Sequence, residues 1–159
     1  MYRPTPATPS QNANAYLQAK VMTASPEQLQ LMLYDGAIRF AEQARVALEK
    51  RQFDQSYERL TRAQAIVAEL QHSLKPSVDA ELCGRLNGLY NFIYMRFVEA
   101  NLEQDPAKLD EGLSVLRYQR ETWVMLMQQT AVAKSEGAER ALPAPSAAAG
   151  QVERLSIAV

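Results

Sequence analysis

The sequence predicts an all-α protein: an antiparallel, up-down four-helix bundle with a short N-terminal helical segment and disordered tails. Three observations predict it. Four stretches repeat apolar residues at i, i+3, i+4 and i+7. The breaks between these stretches are short, so consecutive helices lie antiparallel. No stretch shows the apolar/polar alternation between turn signals that marks strands. Residues 13–131 are therefore read as the bundle. Residues 1–12, rich in Pro, Thr, Ser, Gln and Asn, are read as disordered, and residues 132–159, around LPAPSAAAG, as a low-complexity tail.

The first bundle helix opens on Ser25 as N-cap, with Pro26 at the first helical position and Gln28 three residues on, a capping-box pattern. Leu29, Leu33, Gly36, Ala37, Phe40, Ala44, Ala47 and Leu48 then keep one register through Asp35-Gly36, a dipeptide that commonly turns the chain. The helix is expected to run on to about Lys50. Gly36 costs about 1 kcal/mol against Ala in a helix interior; on the buried stripe it permits close approach of a neighbouring helix.

The second helix is expected over Asp54–Leu74, with Leu60, Ala63, Val67, Leu70 and Leu74 inward. Lys75-Pro76-Ser77 ends it, because Pro disfavours the helical region in the residue before it, and caps the third, expected over Val78–Asn101. Leu82, Leu86, Leu89, Ile93 and Phe97 form the inner stripe of that third helix. Asp105-Pro106 supplies N-cap and first turn of the fourth, lined inside by Leu109, Leu113, Leu116, Trp123 and Met127.

Two of these helices carry more apolar surface than one core stripe requires. At 100° per residue, Leu31, Tyr34, Ile38 and Ala41 form a second stripe about 140° round from Leu29 and Leu33. Tyr90, Phe92, Tyr94, Met95 and Val98 lie outside the main stripe of the third helix. Either the first helix sits centrally and its neighbours consume both stripes, or an apolar groove stays open for a partner. The groove reading makes Leu31, Tyr34 and Ile38 partner-binding candidates, joined by Tyr90 and Tyr94, which the bundle interior could equally hold. Tyr16, Leu17, Val21 and Met22 fall at helical spacing in a segment too short to stand alone. Ordering that segment costs nearly what docking it returns, so it reads as a displaceable lid.

Composition removes other classes. A formal net charge of −1, with 22% charged and 47% hydrophobic residues, fits a globular chain and offers no basic field for nucleic acid. No apolar run reaches the length of a membrane span, and MYRPTPATPSQ lacks the apolar block of a secretory signal. One cysteine, Cys83, excludes an internal disulfide, fits a reducing compartment, and reads as a small core residue. Glu69 and His72 match the Glu-x-x-His spacing of di-iron bundles, but a single histidine cannot complete such a site. No metal, cofactor or catalytic residue is expected, and His72 suits the negative end of its helix. Glu99, Glu103, Asp105, Asp110 and Glu111 read as solvated caps.

Three motifs together resemble a known family. VMTASPEQLQLMLYDGAIRF (Val21–Phe40), LNGLYNFIYMRFVEANLEQD (Leu86–Asp105) and LDEGLSVLRYQRETW (Leu109–Trp123) resemble, in order and spacing, the flagellin-specific export chaperones of the FliS family. The likeness covers about residues 16–125. It implies a cytoplasmic, non-enzymatic chaperone that binds the C-terminal helical region of flagellin, delays its polymerisation and assists its export without ATP. An export-gate component or a co-chaperone would be a further partner. It also implies an N-terminal segment over a hydrophobic client surface, placing Tyr16 and Val21 in the lid. The local Lys75-Pro76-Ser77 loop departs from the family pattern. A structural adaptor that dimerises through the same apolar face is the alternative; the oligomeric state expected is a monomer or weak homodimer.

Overall fold

In the computed structural model, which describes residues 8–75 and 79–141, the chain forms five helices and, among those residues, no strand. They are α1 (Pro9–Thr23), α2 (Pro26–Glu49), α3 (Phe53–His72), α4 (Ala80–Glu103) and α5 (Pro106–Ala141). Two compact units divide the chain after Trp123. The first holds α1 to α4 and the first half of α5; the second begins at Val124.

Helix starts follow the side-chain chemistry expected of them. Ser25 Oγ accepts from Gln28 N–H at 3.2 Å, and Gln28 Oε1 accepts from Ser25 N–H at 3.0 Å, so two otherwise orphaned donors are satisfied reciprocally. Asp105 Oδ1 accepts from Ala107 N–H at 2.9 Å at the start of α5. The start of α4 differs from expectation. Asp79 is its N-cap, accepting from Leu82 N–H at 3.0 Å; of the Lys75-Pro76-Ser77 cap expected there, Pro76 and Ser77 lie outside the described residues, as does Val78, the expected first residue of the helix. α3 stops at His72, which places Leu74 beyond the helix.

The reversals between α2 and α3 and between α4 and α5 take three and two residues, and each holds one left-handed residue: Arg51 (φ 58°) and Gln104 (φ 52°). Neither is the glycine or asparagine that normally signals this conformation, so periodicity and the proline, not the turn residue, marked these ends. Helix reaches further toward both ends than the sequence suggests, while residues 1–7 and 142–159, read as disordered and low-complexity, lie outside the described residues. α1 begins at Pro9 rather than 13, with Gln11 Oε1 accepting from Thr8 N–H at 3.3 Å, and α5 continues through residues 132–141.

The core of the first unit is built on small-residue contact between α2 and α3. Ala37, Ala41, Ala44 and Ala47 of α2 are buried, as are Ser56 and Ala63 of α3. A Cβ built on Gly36 would stand 3.3 Å from Ile66 Cδ1, so the absent side chain does admit α3. Leu60, Val67, Leu70, Ile93, Phe97, Leu109, Leu113 and Leu116 fill the interior from the other helices. α2 therefore has α3 on one flank and α5 on the other. Arg45–Asp110 (2.7 Å), Arg117–Glu42 (2.6 Å) and Arg120–Asp35 (2.6 Å) line the α2–α5 seam, and Trp123 Nε1–H donates to the Glu27 carbonyl at 3.1 Å. Of the five acidic residues near the α4–α5 turn, Asp105 is a cap, and the other four are more than that: Glu99 and Glu103 meet Lys108, Glu111 meets Arg96, and Asp110 meets Arg45. Exposed pairs of this kind contribute a few tenths of a kcal/mol each and mainly set helix register.

Candidate functional site

The second apolar stripe of α2 is where the structure corrects the sequence reading. Tyr34, expected in an open groove, is 2% exposed, and Tyr90 is 1% exposed. Their rings cross the bundle diagonal with centroids 6.4 Å apart, and their hydroxyls bond to each other. Rotation had shown correctly that Tyr34 leaves the main stripe; it could not show that α5 and α4 wait on that side. Ile38 and Leu31 turn toward the α2–α5 seam and are half-buried, with Ile38 packed on the core. Tyr94 is likewise half-buried against the core. Neither Tyr34 nor Tyr90 can meet a partner directly without opening the bundle.

Burial raises the Tyr34 hydroxyl above its ordinary value near 10, opposed by hydrogen bonds from Tyr90 and Gln30. Tyr90 is raised further, first by burial and then by the neighbouring Tyr34. A raised acidity constant means that the folded state holds these protons more tightly than the unfolded chain. Their contribution to stability is whole below about pH 10 and falls as pH rises beyond it. Tyr34→Phe alone leaves the Tyr90 hydroxyl without its core partner and is expected to cost about 1 to 3 kcal/mol. The double change Tyr34→Phe/Tyr90→Phe removes both polar groups and should cost less than either single change. Urea unfolding at pH 8 checks the order, and the double variant should lose much of the alkaline decline.

The apolar surface that does stay open lies on α4. Its inner stripe holds only in part: Ile93 and Phe97 are buried, Leu86 is half-buried, while Leu82 (53%) and Leu89 face solvent. Phe92 and Met95 are exposed further round the helix, with the Arg96 guanidinium carbon 5.1 Å from the Phe92 ring centroid. Gly84 and Gly88 have open space where a Cβ would stand, so the outward side of α4 is low next to Phe92 and Met95. By rotation Gly84, Gly88, Phe92 and Met95 share the side of α4 opposite Tyr90 and Phe97. The inner-stripe reading of Leu82 and Leu89 failed because no other helix of the unit closes over the first turns of α4. Sequence had placed Phe92 and Met95 outside the main stripe without ranking them as a site.

α1 carries the remaining open apolar side chains. Tyr16 (71%), Leu17, Val21 and Met22 (86%) are all exposed, and α1 buries no residue. The expected docking of this segment over a groove is not what the structure holds. Cys83, read as a core residue, is half-buried on α4. His72 ends α3 in solvent, and among the described residues no group of three or more acidic, cysteine or histidine side chains is placed to hold a metal. No described helix is long and apolar enough to cross a membrane.

An all-helical unit with an unfilled apolar face is suited to holding another polypeptide, and comparison with known proteins agrees. The profile of the family described as "FliS: Flagellar protein FliS" matches residues 9–130. The chain is 34% identical over 114 residues to the flagellar secretion chaperone FliS of Bacillus subtilis (strain 168), covering 72% of this chain and 84% of that protein. It is 30% identical over 124 residues to the FliS of Salmonella typhimurium (strain LT2), covering 77% and 92%. A crystal structure of a flagellar chaperone from bacteria superposes with a TM-score of 0.62 at 21% identity, covering 76% of this chain and 98% of that one, which shows the shared fold. On the family match and these relatives, the chain belongs to the FliS family of flagellar secretion chaperones.

Proposed function

We propose that this protein binds the C-terminal helical region of flagellin in the cytoplasm, keeps it from polymerising early and presents it to the flagellar export apparatus. An export-gate component or a co-chaperone is the second class of partner. The observation that carries the proposal is the apolar surface left open on α4, with Phe92 and Met95 exposed on its outward side and Leu82 and Leu89 exposed on the flank beside its core stripe, in a secretion-chaperone fold. A disordered amphipathic client folds as it binds and gives up ordering entropy at that step. Its apolar residues lie along α4 as a helix lies in a groove. Tyr94 and, at the α2–α5 seam, Leu31 and Ile38 are half-buried on other sides of the bundle, where only a client that wraps past α4 makes contact. Tyr34 and Tyr90 act behind the surface, holding α2 and α4 in register.

The four exposed apolar residues of α1 fit the same reading. A 15-residue helix with nothing buried is marginal alone, and its tether keeps it at high local concentration near the bundle. Tyr16, Leu17, Val21 and Met22 therefore serve as a lid that yields to the client or folds over it.

Co-purification with the flagellin of the same organism tests the function. Full-length flagellin is expected to co-elute as a soluble complex. Flagellin lacking about its last 40 residues, the length of an amphipathic helix pair at 1.5 Å per residue, is expected not to. Equal retention of both forms would reject the C-terminal assignment, and retention of neither would reject flagellin as the client.

A further inference from the structure

We propose that the cavity where the end of α4 meets the start of α3 binds an organic cation, a guanidinium or alkylammonium head on a short apolar stem. The cavity holds about 220 Å³ and borders the last turn of α4, past the apolar surface that Leu82 to Met95 leave open. At that volume it takes a group the size of one side chain, since pockets for larger ligands begin near about 300 Å³. Leu48 and Ala100, both buried, and half-buried Phe53 give it an apolar lining. Ser56 is 2% exposed, yet its hydroxyl has no hydrogen-bond partner among the described residues and opens on this cavity. A buried hydroxyl ordinarily has one. Asp54, Asn101 and Gln104 complete the lining from its more exposed side.

The charge balance selects the sign of the ligand. The first turn of α3 and the last turn of α4 both border the cavity, and their dipole ends, about +0.5 and −0.5 of a charge, offset each other. What remains is the Asp54 carboxylate, the one ionised side chain in the lining, which enters no ion pair among the described residues. Arg51, the cation nearest to it in sequence, borders the adjoining groove and lies over the Phe53 ring, its guanidinium carbon 5.8 Å from the centroid. An anion would be repelled by Asp54, and a neutral ligand would leave that carboxylate unmatched. A guanidinium or ammonium carries donors only, and its acceptors are at hand: the carboxylate, Ser56 Oγ and the amide oxygens of Asn101 and Gln104. The carbons of the stem then lie against Leu48 and Ala100.

Titration of the isotope-labelled full chain with ethylguanidinium chloride, followed by amide NMR against sodium chloride of equal ionic strength, tests the site. Saturable shifts are expected at Ser56, Asn101 and Gln104, with a Kd on the order of 1 mM for so small a ligand. Asp54→Asn, at an exposed position, should weaken binding about tenfold by removing the charge from the hydrogen bond. Ser56→Ala should weaken it severalfold, and both variants should keep their far-UV helicity. Ethylurea, the uncharged analogue, should not bind. Agmatine and N-acetylarginine methylamide, titrated in the same way, identify the source: the tighter of the two says whether the cation arrives free or on a partner's side chain. Shifts that fail to saturate, that sodium chloride or ethylurea reproduces, or that persist undiminished in Asp54→Asn would each overturn the proposal.

Discussion

Replacing Gly112 by Val is expected to lower the melting temperature by about 10 °C, from a stability loss of about 3 kcal/mol. Gly112 is buried where α5 crosses α4, and a Cβ built on it would stand 2.8 Å from Phe97 Cε1, 3.0 Å from Phe97 Cδ1 and 3.2 Å from Arg96 Cβ. Phe97 is wholly buried, so its ring has nowhere to go, and Arg96 is tied to Glu99 and Glu111. Helix propensity alone argues the other way, favouring any ordinary residue over Gly by a few tenths to 1 kcal/mol. Overpacking a rigid ring outweighs that gain. Gly36→Ala is the matched control: its single near contact is the tip of Ile66 at 3.3 Å, which can shift, so packing strain and propensity nearly cancel. Thermal melts of both variants check the contrast, and equal losses would remove Phe97 as the cause.

The two glycines show what periodicity reveals and where it stops. Gly36 sits inside a run of core positions, so its role in close approach could be read from the sequence. Gly112 lies between Leu109, Leu113 and Leu116, and nothing local says that a phenylalanine from another helix abuts it. The same limit governs the site. Rotation found the surplus apolar surface on α2 and α4, because the angular position of a side chain depends on its own helix alone. Assigning that surplus to core or solvent depends on the neighbours. Tyr34 went inside because α2 has flanks on both sides, whereas Leu82 and Leu89, on the expected core stripe, stayed outside because no helix of the first unit covers their side of α4. The left-handed turns at Arg51 and Gln104 were illegible for a different reason: neither residue type announces that conformation.

The exposed half of the surplus leads to the sharpest functional test. Phe92→Glu/Met95→Glu is expected to weaken binding of the flagellin C-terminal segment by at least about 30-fold, or 2 kcal/mol. Both side chains are exposed, so the substitution places carboxylates where water already reaches and leaves the core intact. In the complex the same carboxylates would have to be stripped of water beneath the client's apolar residues, and the nearest cation, Arg96 beside Phe92, already holds Glu99 and Glu111. Ile38→Lys, the change that α2's second stripe alone would recommend, is a poorer probe. Ile38 packs on the core, so a lysine there costs stability as well as affinity and the two losses merge. Calorimetry with the double α4 variant, alongside its melting temperature, separates them: affinity should collapse while the melt moves by no more than a few degrees. Affinity that survives in the folded variant would take the client off α4 and leave α1 and the α2–α5 seam, with Leu31 and Ile38, as the surface to test next.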